Sequence, residues 1–345
     1  MASILARKLC ILLLAVAVCL PASAAQYQVV DLGNLGRGGG KAASVNESGA
    51  VVGWSAVNAS DLHAFLWKPK TGMIDLGTLG HQWSWATDIN NRGMVVGRAF
   101  DPSGNWQAFV WDAEHGMRPL PGLSEAESEA WAVSETCLVV GSAQNSEGRV
   151  HATLWTPSYG VRDLDSLDGI YSCANGVNNL GMVVGETDVP GAWVAHAFVW
   201  TEKGGMVDLG TFGGDRSSAF EINDCGRAVG YAETSDGFHH AFIWDAKKGL
   251  TDLKTLDGYT QSFACSISNS GKVVGWCDNG GRGDNGRAFV WDAKSGMVDL
   301  NDLIDPASGW ELFSALDVNN RGLIAGSGLN PAHQGAAFLL IPIHQ

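Results

Sequence analysis

A glycine that closes a short valine-rich segment returns seven times, at Gly53, Gly97, Gly141, Gly185, Gly230, Gly275 and Gly326, at intervals of 44, 44, 44, 45, 45 and 51 residues. Other positions keep step with it. An alanine recurs at Ala42, Ala86, Ala130, Ala174, Ala219, Ala264 and Ala315, with a β-branched residue three places on at Val45, Ile89, Val133, Val177, Ile222, Ile267 and Val318. A tryptophan follows at Trp67, Trp111, Trp155, Trp200, Trp244 and Trp291, replaced by Leu340 in the last copy. A period of this length means one supersecondary unit that buries its apolar face only by packing on its neighbours.

Each copy holds four apolar segments rich in Val, Ile, Phe and Trp, separated by Gly, Asn, Asp and Pro clusters, with no helical period. That is strand chemistry. The links NESG, NNRG, NNLG, NDCG and SNSG suit the positive φ angles of tight hairpins, and KPKTG and DAKKG are equally short. Two other links in each copy are longer and variable. Crossing from the outermost strand of one four-stranded sheet to the innermost strand of the next spans about 14 Å, so segments such as GTLGHQWSW and DSLDGIYS are the crossings. The order within a sheet is then the Ala strand, the VVG strand, the HAF strand and the DL strand. This leaves one DL-type strand, 27–32, orphaned near the N-terminus, while the seventh copy lacks one. The two ends complete each other, and the expected fold is an all-β, seven-bladed β-propeller of four-stranded antiparallel blades, closed by the N-terminal strand pairing with the last blade. A linear β-solenoid is the runner-up, disfavoured because AAFLLIPI is no polar cap.

The first residues pair Arg7 and Lys8 with an apolar run from Ile11 to Leu20 and a small-residue exit, Ala22-Ser23-Ala24. This reads as a signal peptide over 1–24 cleaved after Ala24 or Ala25, with one domain over 25–345, and predicts a secreted or periplasmic protein. A lipoprotein in which Cys19 is acylated is a minor alternative, disfavoured by the bulky Val18. No later run is long and apolar enough to cross a bilayer as a helix. Losing Arg7 and Lys8 takes the formal charge from -14 to -16, which repels phosphate backbones and argues against nucleic acid as a partner. A monomer is expected.

The repeat HAFLW, then MIDLGTLG, then the Ala-to-VVG hairpin resembles the HAF family of probable extracellular repeat proteins, named for the residues at His63, Ala64 and Phe65. The resemblance covers essentially the whole chain after residue 24. The third copy departs from it, with Thr153 for Phe, Pro119 for the Asp of DL and Cys137 for the turn Gly. What the resemblance implies is secretion and repetition; it brings no catalytic residues.

Repeated residues read as architecture. Asp31, Asp75, Asp163, Asp208, Asp252 and Asp299 are expected to accept from turn amides in their own blades, and His63, His151, His196 and His240 to join a structural hydrogen-bond network. The recurring Ala is expected to line the crowded inner strand, and the VVG Gly to permit a close backbone approach. Function should lie where copies differ. Both longer links emerge on one face, carrying Trp83, Trp85, Trp106, Tyr171, Trp193, Tyr259 and Trp310, with Phe238 beside them. Aromatics interspersed with Asp, Glu, Asn and Arg suit carbohydrate or the loop of an extracellular protein. The leading reading is therefore a non-enzymatic binding module. An alternative is a propeller lyase or hydrolase in which Glu125, Glu127 and Glu129 join His81, Asp215 or Arg216 near the channel. A structural cell-surface or matrix role is the third.

No nucleophile-and-base pattern, zinc spacing or cofactor motif occurs. The 278–286 loop, which includes Arg-Gly-Asp at 282–284, has the composition of a calcium loop without the spacing or terminal Glu of an EF-hand. Five cysteines follow the signal segment, and Cys265 and Cys277 flank a hairpin turn closely enough for a disulfide to be possible.

Overall fold

The computed structural model describes residues 25–158, 160–167, 169–191, 194–280 and 286–343. The chain forms seven four-stranded antiparallel sheets arranged as a β-propeller. Blade 1 is built from Gly40–Val45, Val51–Ala56, Leu62–Lys68 and Gly72–Asp75, and the next five blades repeat this over 84–119, 128–163, 172–208, 213–252 and 261–299. The strand order in each is the order in the chain, from the axis outward. In blade 7, Glu311–Val318, Ile324–Leu329 and Gly335–Pro342 take Tyr27–Asp31 as their outer strand, with Val29 opposite Leu340. The orphan strand thus closes the ring.

The invariants of the repeat each have a steric or hydrogen-bonding reason. A Cβ on any of the seven VVG glycines would sit inside the radius of a carbonyl oxygen on the innermost strand, such as that of Ser218 for Gly230 or Phe263 for Gly275. The strand pair closes only because that Cβ is missing. The alanines that begin the period are all essentially inaccessible, as are Phe65, Phe109, Phe198, Phe242, Phe289 and Phe338. Between sheets, Val, Leu and Ile side chains interdigitate into seven apolar clusters, one at each blade–blade interface.

The hairpin glycines adopt positive φ, as at Gly49 (79°) and Gly181 (75°), and Cys137 takes the same conformation (63°) where the third copy lacks Gly. These hairpins also lock the blades together. The backbone N–H of the residue after the turn's leading Asn or Ser donates to the equivalent side chain of the next blade: Glu47 to Asn91, Asn91 to Glu135, Glu135 to Asn179, Asn179 to Asp224, Asp224 to Asn269, Asn269 to Asn320, and Asn320 back to Glu47, over 2.7–3.1 Å. Seven bonds make an uninterrupted circle.

Outer contacts follow the expected pattern. His63, His151, His196 and His240 each place Nδ1 within about 3 Å of Asp75, Asp163, Asp208 and Asp252. Those aspartates also accept turn amides, such as Gly77 N–H to Asp75 and Gly210 N–H to Asp208. The Cys265–Cys277 disulfide that the sequence left possible is not formed. Both thiols are free, because the hairpin register sets Cys277 opposite Ser262, where its sulfur packs on Met297, while Cys265 occupies a β-bulge and faces the channel.

Candidate functional site

In every blade the innermost strand runs from the face of the long links to the face of the tight turns, and the VVG strand returns. One step from the Ala–Gly pair toward the long-link face, the two strands present one cross-strand pair per blade: Lys41–Trp54, Trp85–Arg98, Glu129–Ser142, Cys173–Glu186, Ser218–Tyr231, Phe263–Trp276 and Ser314–Ser327. These seven pairs ring the channel at one height. They flank the most uniform positions of the repeat and are themselves unlike one another.

Two aromatic groups occupy the ring on opposite sides. On blades 1 to 3, Trp54 stacks on Trp85 across the blade interface at 6.0 Å, Trp85 lies 5.2 Å from Trp106, and Trp106 lies 4.0 Å from Phe100. The Arg98 guanidinium sits among Trp85, Trp106 and Trp131 at 4.3, 4.6 and 5.0 Å, and bonds Glu129 at 2.5 Å. On blades 5 and 6, Phe220, Tyr231, His239, Phe263 and Trp276 form a second chain of ring contacts, closest between Phe263 and Trp276 at 4.2 Å. Most of these rings are half-buried, leaving part of each accessible. Between the groups, Tyr171 donates to Glu186 at 2.8 Å. Burial, with the nearby Cys173 and Glu186, raises the Tyr171 pKa, so the phenol stays protonated. Blade 7 contributes only Ser314 and Ser327, bonded to each other at 2.8 Å.

The expected site residues divide accordingly. Trp85 and Trp106 lie in the first aromatic group, and Trp83 reaches it by stacking on Phe100 while its indole N–H is tied to the Ser60 carbonyl. Tyr171 belongs to the acidic stretch. Tyr259 packs on the apolar cluster between blades 5 and 6, and Trp310 packs on that between blades 6 and 7, edge-on to Phe338. Trp193 lies outside the described residues, as do 281–285 of the loop considered for calcium. Among the described residues no group of three or more His, Cys, Asp or Glu side chains is arranged to hold a metal. The acid–base set considered for an enzyme does not converge: Glu129 is engaged by Arg98, His81 lies edge-on to Phe100, Asp215 bonds Glu233 through its amide, and Glu125 and Glu127 point to solvent.

Trp54, Arg98, Trp131, Glu186, Tyr231, Phe263 and Trp276 escaped sequence reasoning that looked for function in loops. Their signal was positional, since each sits beside an invariant residue in a strand or at its bulge.

Below the ring, toward the tight turns, the channel holds a cavity of about 310 Å³. Its wall carries Ser44, Asp88, Ala132, Gly176, Glu221 and Asp317, six of the seven residues two places after the repeated alanines; the seventh, Ser266, is buried and bonds Asp317. Each blade has a β-bulge between the two positions, so the second residue is turned toward the axis.

A family model described as a protein of unknown function (DUF3466) matches residues 211–317. No curated protein matches the chain. Among solved structures, a puromycin hydrolase S511A mutant superposes with a TM-score of 0.58 at 16% identity, covering 88% of this chain and 52% of that one. A puromycin-hydrolyzing peptidase of Mycobacterium tuberculosis gives 0.58 at 12% identity, covering 93% and 54%. The acylaminoacyl peptidase of Pyrococcus horikoshii gives 0.53 at 12%, covering 89% and 52%. This chain spans about half the length of these proteins, and at such identities the likeness is one of fold.

Proposed function

We propose that this chain is a non-enzymatic recognition module of the extracytoplasmic space, built from HAF-type repeats, and that it binds carbohydrate across the long-link mouth of its channel. One observation carries the reading: the seven cross-strand pairs at the mouth are the least alike positions beside the most uniform ones, and two groups of half-exposed aromatic rings there flank Arg98, Glu129, Tyr171 and Glu186. Flat rings beside polar groups suit the apolar faces and hydroxyls of a sugar chain. Export is supported by the basic, apolar and small-residue order of the first 24 residues.

The test is a glycan array probed with the purified mature chain, its Trp85→Ala and Trp276→Ala variants, and Trp244→Ala as a comparison outside the mouth. The expected result is binding that falls at least tenfold in both mouth variants at unchanged melting temperature, with Trp244→Ala binding normally. Binding indifferent to both substitutions rejects the site. No glycan binding by the wild type, with capture of an extracellular protein that depends on the same residues, keeps the site and rejects carbohydrate as its ligand.

A further inference from the structure

The channel wall holds a continuous chain of carboxylates and hydroxyls with too few protons. Ser44 Oγ lies 2.7 Å from Asp88 Oδ1 and 2.9 Å from Asp317 Oδ2, yet it has a single proton to donate. Ser266 Oγ donates to Asp317 Oδ1 at 2.7 Å and accepts from Val318 N–H at 3.0 Å. The acids also cap the neighbouring blades. Asp317 accepts from Val45 N–H of blade 1, Asp88 from Val133 N–H of blade 3, and Glu221 from Ile267 N–H of blade 6. Both short contacts to the Ser44 hydroxyl can be hydrogen bonds only if one of the two carboxyls carries a proton and donates in turn.

We propose that Asp88, Ser44, Asp317 and Ser266, with Glu221 on the adjoining blade, form a proton-sharing latch around the channel wall, which holds blade 7 against blade 1 and blade 5 against blade 6, tightens in acid and loosens as the pH rises. The surroundings reinforce this. Facing the cavity are Glu47 from blade 1, Glu135 from blade 3, Asp224 from blade 5 and the Cys265 thiol from blade 6; blade 4 offers Asn175 and Gly176, and among the described lining residues there is no Lys, Arg or His. No cation is at hand to neutralise a second or third negative charge.

Burial lifts the Asp88 carboxyl to about 6. Burial and then the charge of Asp317 lift Glu221 well above the ordinary carboxylate range, and burial lifts Asp317 too. The folded state therefore holds these protons more tightly than the unfolded chain does. The latch contributes fully below the usual carboxylate pKa, near 4, and its contribution drains away as the pH climbs through about 6 at Asp88 and beyond.

Potentiometry tests this without any substitution: refolding the wild type in lightly buffered solution at pH 5.5 should take up protons, about one or two per chain. Melting profiles from pH 4.5 to 8.5 for the wild type and for Asp317→Asn, Glu221→Gln and Asp88→Asn provide the second measurement. Each amide keeps the shape of the protonated acid, so the wild type should lose several degrees more than the variants as the pH rises, on the order of a few degrees per proton. Proton release on refolding, or no exchange at all, overturns the proposal. So do parallel profiles for the wild type and any folded variant.

Discussion

Ser217 offers a direct measure of what joins one blade to the next. Its side chain is 1% exposed; Oγ accepts from the Ala197 N–H of blade 4 at 2.8 Å and donates to the Gly210 carbonyl at 2.6 Å. Ser84, Ser128, Ser172 and Ser262 accept from the equivalent amides of Ala64, Ala108, Ala152 and Ala241. In Ser217→Ala the Ala197 amide, on a fully buried residue, loses its acceptor with no route for water, which costs about 1–3 kcal/mol. The Gly210 carbonyl is half-buried and can be rehydrated, so losing that bond costs about 1 kcal/mol. The sum is roughly 2–4 kcal/mol. Urea unfolding followed by tryptophan fluorescence, with the dependence on denaturant compared between variants, reads this directly. Ser103→Ala, on an exposed loop, should stay within about 0.5 kcal/mol of wild type. A loss below about 0.5 kcal/mol in both Ser217→Ala and Ser172→Ala would refute the claim that this hydroxyl pins the blades.

Gly275→Ala should cost about 3 kcal/mol or more, because the new methyl meets the Phe263 carbonyl and the ring of Phe289, and neither can withdraw without parting the strands; soluble, normally melting protein would contradict the packing argument. Asp252 behaves oppositely to the channel acids. Burial disfavours its charge, but hydrogen bonds from Lys254 and His240 outweigh this and lower its pKa. Its contribution is present above the ordinary carboxylate pKa, near 4, and lost as the pH falls through the depressed value. Asp252→Asn should therefore lower stability at neutral pH by no more than about 1 kcal/mol and shrink the loss between pH 4 and 2, as read from melting profiles; an unchanged acid limb would rule this out.

The architecture was open to sequence reading because seven imperfect copies average out local ambiguity. A lone VVG or HAF segment is an apolar run of either type, whereas the fixed spacing of Ala42, Gly53 and Trp67, repeated at Ala219, Gly230 and Trp244, leaves strands and tight turns as the consistent reading. Strand order and closure followed from link length and from the unmatched strand near the N-terminus. Contacts between equivalent positions of adjacent copies were harder to see. Asn91 and Glu135 stand 44 residues apart yet meet by a hydrogen bond, and nothing in either copy alone marks them as partners. The β-bulge after each alanine defeats simple alternation. It turns Asp88, Glu221 and Asp317 to the axis and takes Cys265 out of line with Cys277. Looking to loops for function found Trp85 and Trp106, but loop-anchored Tyr259 and Trp310 pack onto the apolar clusters between blades. Trp54 and Trp276 emerge from strands, where repetition had been equated with architecture.

The gaps in the channel wall show how far the repeat has been tuned. At five of the seven positions two places after the repeated alanines the residue is polar; Ala132 and Gly176 are the exceptions. Gly176 has a steric reason, since a Cβ there would lie 2.9 Å from the Glu221 Cα and from the Phe220 carbonyl oxygen. Ala132 already carries its Cβ, so that position has room. In four other blades this side chain accepts the backbone N–H of the next innermost strand, as Asp88 does for Val133 and Ser266 for Val318, whereas Ile89 N–H is taken by its own Asp88 side chain. The amide equivalent to those of Val133 and Val318 is Val177 N–H, and among the described residues no side chain is seen to accept from it. A hydroxyl in Ala132→Ser should reach it and add about 0.5–1.5 kcal/mol. Because serine carries no charge, the gain should be the same at pH 5 and pH 8, unlike that of the acids. Unfolding by urea at both values checks the claim: equal stabilisation supports a wall that works by capping the next blade, and destabilisation at either pH means that the inner strands of blades 3 and 4 do not meet as those of blades 2 and 3 do.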